Sequence, residues 1–561
     1  MILQGMGMKI LLSWLKTYID ISLTTEEIVQ TLTMLGIEVD NVEFIEPLFD
    51  GVISAKVVKK EAHPSAHSLC IAEVFDGNST IKVVCGAPNC REGLITAFAP
   101  VGATLYPEGP TKDKLVITSR EVRGVISNGM LCSEKELGII DQDAGIIEFA
   151  SDMKIGLLLD EYFHDVVFDL SFTPNLGYCM SIYGIAKELA AALNLPLKPI
   201  QKQALVNLVD ERFENPKVTL FFSEGCPRYS ALSIDNIVIA PSSFEVRYRL
   251  EKCGIRSQNN VVDATNYIMY LIGQPMHAFD RDSIFDNQIM IRKSLQGEVA
   301  ILLDDVKKEL PEDLVLISDT RDPLAVGGIM GCKESRVKDT TSKIVLESCY
   351  FDPKVIRKAS KALGVSSESS RRFERGTDPH NTVFALQLAL ELLSAKNSTF
   401  KIVGFSDTVK GTFDDKLISN GYEILTEYEL EQVEEIKERL KNGENPMVLK
   451  KLLAFEIAKD IKGEQEAKNA QEYFENIFQK KNLNTNIPIR TIKQNNINIL
   501  DLIVQCKITN SKSQAKRLVE QNAVTINGKK ITDWNKNIQL DNGSIILKCG
   551  KHVYQVEYIP N

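Results

Sequence analysis

A single histidine inside an apolar stretch is the residue of this chain best suited to acid–base chemistry. His277 lies in GQPMHAFD, and Asn266 lies eleven residues earlier in ATNY. An imidazole can hold a water molecule or relay a proton near neutral pH, and a nearby amide can help to position a reacting group. A lone histidine among apolar residues is more often structural, so the local pattern leaves both interpretations open.

A cluster of cations near the C-terminus is able to bind phosphate, although the whole chain has a formal net charge of −10. The cluster contains five basic residues, namely Lys512, Lys516, Arg517, Lys529 and Lys530. SKSQAKRLVEQNAV predicts a helix, and TINGKKITD predicts a hairpin that turns at Asn527-Gly528. We expect the hairpin lysines to lie beside the helix, where the cations can bind the backbone of duplex RNA. A solvated charged face is the alternative.

Cysteine and histidine residues form no clear metal-binding pattern. The 11 cysteines are scattered without a C-x-x-C pair, which favours reduced thiols over a disulfide framework. The nearest approach to a metal site is HPSAHSLC, with His63, His67 and Cys70. Because Pro64 and the strand-like residues before it are incompatible with a helix, we expect a loop with solvated histidines and no metal site.

Several domains must position these residues, because 561 residues exceed a single hydrophobic core. Short β-rich segments between turns predict a small barrel over about 52–149, and alternating helix-like and strand-like segments predict a mixed α/β domain over about 218–395. Three amphipathic helices are predicted after residue 421. The sequence contains no apolar run of membrane length and no secretory signal pattern, so we expect a cytoplasmic chain that does not enter a membrane.

Two segments near the C-terminus resemble a known family. They are NGENPMVLKKLLAFEIAKDIKGEQEAKNAQEYFENIFQKK and, after a linker, ILDLIVQCKITNSKSQAKRLVEQNAVTINGKKITD. The second is similar to the small RNA-binding module named after ribosomal small-subunit protein four. Together, from about residue 421 to 561, they resemble the tail of bacterial tyrosyl-tRNA synthetase. The resemblance implies that this tail binds tRNA through the five cations and performs no chemistry.

A second series of motifs lies, in order, between about residues 8 and 404. It reads SWLKTYIDI, VVCGAPN, RGVISNGMLCSEKELGI, CPRYSA, NNVVDATNYIMYLIGQPMHAFD, VGGIMG, LESCYFDP and SSESSRRFERGTDP. This part resembles the N-terminal half of the bacterial phenylalanyl-tRNA synthetase β subunit. The resemblances together imply a multidomain α+β chain. Its expected parts are an N-terminal domain of 1–40 with 151–200, an oligonucleotide-binding (OB-fold) barrel of 41–150, an editing domain of 201–404, a junction of 405–420, a helical segment of 421–486 and an RNA-binding module of 487–561.

The second resemblance also implies an active site. In that family the editing domain hydrolyses tyrosine wrongly esterified to the tRNA for phenylalanine, because a pocket for phenylalanine cannot strongly reject an analogue that only adds a hydroxyl. Glu347 is expected to accept a hydrogen bond from the tyrosine phenol, and Gly331 is expected to leave room for the substrate. A positioned water, assisted by the terminal ribose, would attack the ester. The residues expected around that ester are His277, Asn266, Thr265 and Arg256.

Three arginines in RRFERGTDP have two interpretations. Arg371, Arg372 and Arg375 form either a second phosphate-binding stretch or structural ion pairs with Glu368 and Glu374.

The resemblance implies no cofactor in this chain, because ATP and Mg would serve a partner synthetic subunit. tRNA is the expected partner, and a phenylalanyl-tRNA synthetase α subunit is a second one, although the family's docking module is not recognisable here. Three interpretations follow. The chain is an editing hydrolase that acts in cis or in trans, a non-catalytic tRNA-binding protein, or a composite or truncated fusion of two synthetase genes.

Overall fold

The structure is a computed structural model. It divides into two compact units, Met1–Gly411 and Thr412–Asn561, which are described separately. The residues that it describes are 7–106, 114–141, 145–200, 216–394, 400–410, 430–442, 444, 446–474, 489–506, 508–509, 511–520, 523–527, 529–540, 544–549 and 552–558. None of the helices in these ranges has both the length and the apolar content that a bilayer span requires.

The chain begins with two strands and two helices. They are β1 (Met8–Leu11), α1 (Leu12–Lys16), α2 (Thr25–Met34) and β2 (Glu38–Ile45). Helix α2 begins with a capping box, because the Thr24 side chain accepts from the Glu27 N–H while the Glu27 carboxylate accepts from the Thr24 N–H. Its apolar face buries Ile28 and Leu32.

A barrel-like sheet follows. Its five principal strands are β4 (Ile53–Ala62), β5 (Cys70–Phe75), β6 (Thr80–Cys85), β7 (Ile95–Pro100) and β12 (Gly129–Cys132), in the order β12-β7-β4-β5-β6. Shorter strands complete this region: β3 (Phe49–Asp50), β8 (Thr104–Leu105), β9 (Leu115–Val116), β10 (Arg120–Val122) and β11 (Val125–Ser127). Alternate residues of β5 are buried, as expected for a strand with one face on a core.

A later segment of the chain completes the sheet that contains β1 and β2. Helix α3 (Leu159–Phe163), strand β13 (Asp165–Ser171) and helix α4 (Ile182–Leu193) follow the barrel. Strand β13 pairs with both β1 and β2, so the sheet order is β1-β13-β2. Strand β2 therefore belongs to this sheet up to Ile45, and not to a barrel that begins at residue 41.

The next domain is built on two principal sheets and a smaller sheet of two strands. Its strands are β14 (Lys217–Leu220), β15 (Arg228–Asp235), β16 (Met276–Asp280), β17 (Gln288–Lys293), β18 (Val299–Ile301), β19 (Lys307–Glu309), β20 (Val315–Ser318), β21 (Pro323–Val326), β22 (Met330–Gly331), β23 (Lys343–Tyr350) and β24 (Lys401–Val409). Its helices are α5 (Phe244–Lys252), α6 (Asn260–Ile272), α7 (Pro353–Leu363), α8 (Glu368–Arg375) and α9 (Asn381–Ser394). The sheets have the orders β16-β23-β15-β24 and β14-β17-β20-β21-β22. Strand β23 is central and buried on both faces from Ile344 to Cys349.

Strand β24 extends across the predicted domain boundary at residue 405. It pairs along β15 up to Val409, so the first residues of the expected junction 405–420 are part of this sheet. Residues 411–420 of that junction lie outside the described residues.

The second unit contains helices followed by a small mixed domain. The helices are α10 (Leu430–Lys441), α11 (Pro446–Lys462), α12 (Glu464–Phe474), α13 (Ile499–Gln505) and α14 (Lys512–Glu520). The strands are β25 (Ile489–Ile492), β26 (Asn496–Asn498), β27 (Val524–Ile526), β28 (Lys529–Lys530), β29 (Asn537–Gln539), β30 (Ser544–Cys549) and β31 (His552–Tyr558). Five of them form a sheet in the order β25-β31-β30-β27-β28.

Candidate functional site

Strand register brings His277 and Glu347 together. His277 in β16 lies directly opposite Glu347 in β23, and Glu347 lies opposite Ala231 in β15. Residues opposite each other in antiparallel strands project to the same face of a sheet. His277, Glu347 and Gly331 all line one cavity, which also includes Met276 and Met330.

The Glu347 carboxylate is buried and held by a tyrosine. Tyr229, two residues before Ala231 on β15, donates its phenol hydrogen to Glu347 Oε2 over 2.7 Å. Burial raises the pKa of Glu347 to about 7, because the charged form loses its hydration, although the Tyr229 hydrogen bond acts in the opposite direction. The carboxyl is therefore poised to change charge near neutral pH. Sequence reasoning missed Tyr229, whose only signal was its place in the CPRYSA motif.

His277 has an unusual environment for an imidazole. Its Nε2 atom is buried and has no hydrogen-bond partner among the described residues, while its ring packs edge-on against Phe279 at 4.7 Å between centroids. Burial lowers the pKa of His277 to about 4, so the ring is neutral at pH 7. A neutral ring nitrogen without a partner can accept or donate one hydrogen bond to a water or a substrate group.

Gly331 leaves space that the His277 ring occupies. A Cβ at position 331 would lie 2.6 Å from both Cε1 and Nε2 of His277, which is too close for any side chain. The cavity has a volume of about 50 Å³. A water molecule needs roughly 10–15 Å³ of such space, whereas a cavity that binds benzene has about 150 Å³, so the cavity as it stands admits water beside His277 and does not admit an aromatic side chain.

The other three predicted site residues lie elsewhere. Thr265 and Asn266 are on α6, and neither lines the cavity. The Thr265 hydroxyl donates to the Val262 carbonyl within its own helix over 2.7 Å. Arg256 is exposed in the loop between α5 and α6. A hydrogen bond from the backbone N–H of Gln258 to the Asp263 carboxylate anchors this loop to α6. The structure thus brings together His277, Glu347 and Gly331, and it does not place the remaining three at that cavity.

The arginines of α8 have structural partners. Arg372 is buried, and it donates to the Glu368 carboxylate over 2.6 Å and to the Met180 carbonyl over 3.0 Å. Arg371 donates to the same carboxylate over 2.8 Å. These contacts agree with the ion-pair interpretation for Arg371 and Arg372.

The C-terminal cations are distributed over two faces of their sheet. In the hairpin, Lys529 lies opposite Ile526 and Lys530 lies opposite Thr525. Ile526 in turn lies opposite the buried Leu547, whereas Thr525 lies opposite an exposed lysine of β30, so the two hairpin lysines are on opposite faces. The expectation that both lie beside the helix is therefore corrected. Only Lys529 is on the face that packs against Ala515 and Val519 of α14.

The helix cations have different surroundings. Lys512 forms an ion pair with Asp501 at 2.6 Å, and the Lys516 ammonium lies 4.1 Å from the centre of the Trp534 ring. Arg517 is exposed. Trp534 and the exposed Lys548 of β30 were not predicted as RNA-binding residues. Trp534 offers an aromatic face beside the cations, and base stacking on such faces is common in RNA recognition.

The two histidines of HPSAHSLC have different environments. His67 is exposed as expected, but His63 is buried. His63 Nδ1 accepts from the Ser65 N–H over 3.1 Å, and its Nε2 lies 3.2 Å from the Val122 carbonyl. Both ring nitrogens therefore have structural partners in the barrel region.

Comparison with known proteins adds three family matches. Residues 52–157 match the tRNA_bind family, a tRNA-binding domain, and residues 225–397 match the B3/4 domain. Residues 479–556 match the tyrosine--tRNA ligase SYY-like C-terminal domain. The second match contains the cavity with His277 and Glu347, and the third contains the C-terminal cations.

Curated relatives cover the larger part of the chain. The chain is 44% identical over 388 residues to the phenylalanine--tRNA ligase beta subunit of Protochlamydia amoebophila (strain UWE25), which is 69% of this chain and 48% of that protein. It is 40% identical over 389 residues to the same subunit of Syntrophus aciditrophicus (strain SB), again 69% of this chain and 48% of that protein. The chain thus spans about half the length of these curated relatives.

A solved structure with some similarity is an N-terminal fragment of the phenylalanyl-tRNA synthetase beta-subunit from Pyrococcus horikoshii. It has 14% sequence identity and a TM-score of 0.24, and the match covers 48% of this chain and 74% of that one. A TM-score of that size does not establish a shared arrangement. The sequence relationships are far stronger. They show that the larger part of the chain is homologous to the phenylalanyl-tRNA synthetase β subunit and that the chain carries a C-terminal domain of the tyrosyl-tRNA synthetase type.

Proposed function

We propose that this chain binds tRNA and hydrolyses tyrosine wrongly esterified to the tRNA for phenylalanine. The observation that carries the proposal is the cavity where His277, Glu347 and Gly331 meet. Such a reaction needs one group that holds the attacking water and one that recognises the tyrosine phenol. The unpartnered imidazole of His277 can hold the water, and the buried carboxyl of Glu347 can accept from the phenol. The chain acts in the cytoplasm in this proposal. Aminoacylation, with ATP and Mg, is left to a partner α subunit.

Discrimination between tyrosine and phenylalanine would come from Glu347. A buried carboxylate that loses a hydrogen bond costs free energy, so a site built around it rejects an analogue that lacks the hydroxyl. Tyr229 already holds Oε2 of Glu347. This contact would keep the carboxylate in one orientation before the substrate arrives.

His277 would hold the attacking water. An imidazole with a pKa of about 4 is a weak base near neutral pH. Its contribution is therefore mainly to accept a hydrogen bond from the water and to direct the water oxygen at the ester. The hydroxyl of the terminal ribose assists the leaving group. The small cavity must widen for an aromatic side chain. Met276 and Met330, which line it, are flexible enough to move aside.

A deacylation assay with the full chain tests the proposal. We expect faster release of tyrosine than of phenylalanine from the same tRNA for phenylalanine, with spontaneous hydrolysis subtracted. Equal rates for the two esters would show that Glu347 does not recognise the phenol. Binding of this tRNA without release of either amino acid would instead support a non-catalytic tRNA-binding protein.

The proposed reaction should depend on the ionisation of Glu347. We expect the enzymatic rate on the tyrosyl ester to rise with pH around a midpoint near 7, because the ionised carboxylate is the better acceptor for a phenol. His277 is already neutral throughout this range and adds no step. The measurement is the rate from pH 5.5 to 8.5 for the chain and for Glu347→Gln. A midpoint that persists in Glu347→Gln would contradict the assignment.

The two hairpin lysines provide a matched test of the RNA surface. Lys529 is on the face shared with α14, and Lys530 is on the other face. We expect Lys529→Ala to reduce the slope of log affinity against log salt by about 1, because one phosphate contact is lost. Lys530→Ala serves as the control and should leave the slope unchanged. The reverse result would place tRNA on the opposite face.

A further inference from the structure

Three cysteines meet at one end of the barrel. Cys70 opens β5 and Cys85 closes β6, and they are direct partners across the two strands. Cys90 follows five residues later and is the most deeply buried of the three. Their sulfur atoms all lie within 4.8 Å of one another. The ordinary alternative is that they are small apolar members of the barrel core, which they share with Ala72 and Leu94.

A backbone N–H is directed at the sulfur of Cys85. The backbone N–H of Ala87 points at Cys85 Sγ over 3.4 Å, a contact from an N–H to the sulfur two residues before it. The thiolate is the form of cysteine that ligates metals, and an N–H directed at the sulfur is compatible with that form.

We propose that Cys70, Cys85 and Cys90 form a three-sulfur site for a soft cation of low coordination number, with Cu(I) as the ion that fits. Three sulfurs at about 2.3 Å from a central ion are on the order of 4 Å apart, which is compatible with the observed spacing. Soft thiolate ligands select such ions, and structural zinc normally requires a fourth ligand.

Among the described residues, no histidine or acidic residue joins the three cysteines as a fourth ligand. Of the two histidines that precede Cys70, His63 has both ring nitrogens in use and His67 is exposed. The Lys60 ammonium donates to the Cys90 backbone carbonyl over 2.8 Å, so it helps to hold the segment that carries Cys90. Each thiol that ligates releases its proton to solvent, and the ion binds without a change of oxidation state.

The test is anaerobic titration of the reduced full-length chain with Cu(I), delivered in competition with a chromophoric chelator. We expect one equivalent to be captured tightly. We expect X-ray absorption to show three sulfurs in one shell near 2.3 Å, as for other metal–thiolate bonds. Replacing Cys70, Cys85 or Cys90 singly by alanine should weaken capture at least about tenfold. Cys179→Ala and Cys506→Ala remove buried thiols outside the cluster and should change nothing.

Several results would overturn the proposal. They are failure of the unaltered chain to compete for Cu(I), capture that is insensitive to the three substitutions, and a shell with fewer than three sulfurs. Preferential binding of Zn²⁺ in a four-coordinate shell would also overturn it. The X-ray absorption measurement uses the unaltered chain, so a variant that fails to fold does not remove the test. The proposal does not depend on the proposed hydrolytic function.

Discussion

Replacing His277 by alanine should lower deacylation of the tyrosyl ester about 100-fold while tRNA binding is retained. The expected size is at the lower end of acid–base contributions, because an imidazole with a pKa of about 4 positions water more than it removes a proton. The measurement is a single-turnover rate with saturating chain, so that the chemical step is observed. Affinity for the tRNA is measured separately by filter binding.

A matched histidine makes this result interpretable. His67→Ala changes an exposed side chain in the barrel region, and we expect wild-type rates from it. Near-normal deacylation by His277→Ala would mean that the cavity histidine is structural, which is the alternative that the local sequence left open. A parallel loss of tRNA binding would indicate damage to the fold and not to the chemical step.

The second large effect concerns stability. Arg247 of α5 forms a bidentate, buried ion pair with Glu134, which follows strand β12 of the barrel. Arg247 is 5% exposed and Glu134 is 3% exposed, so neither charge has water to replace its partner. We expect Arg247→Ala to lower the free energy of unfolding by about 3–5 kcal/mol, because the carboxylate would remain buried without a counter-charge.

The design includes an internal comparison. In urea unfolding followed by circular dichroism, the double variant Glu134→Leu/Arg247→Met should recover much of the loss, since removing both charges leaves none uncompensated. Lys135→Ala breaks an exposed pair with Asp141 at 3.2 Å and should have no measurable effect. Equal effects of Arg247→Ala and Lys135→Ala would show that the buried pair is not a stabilising contact between the barrel and α5.

Helix caps and hairpin turns depend mainly on residues that are neighbours in the sequence. Thr24 and Glu27 form the capping box that begins α2, and such a box involves only neighbouring residues. Asn527 predicts the hairpin because it tolerates a positive φ, and it has a φ of 51°. The boundaries at residues 41 and 405 were misplaced, since β2 and β24 are held by partners far away in the chain.

In the C-terminal module, too, the sequence located residues without showing on which face of the sheet they lie. The sequence located the five cations and the hairpin, but the faces of Lys529 and Lys530 depend on how β27 pairs with β30. Adjacent residues in a strand point in opposite directions, so a compact cluster in sequence becomes a divided one in space.

The sequence by itself determined the family relationships and indicated His277, Glu347 and Gly331 as residues to examine. Only the tertiary structure decided that Tyr229 holds Glu347, that Thr265, Asn266 and Arg256 do not line the cavity, and that Cys70, Cys85 and Cys90 converge. The reason is physical. Helix caps and turns depend on contacts between neighbours, whereas strand register joins residues distant in sequence and sets which side chains share a buried space.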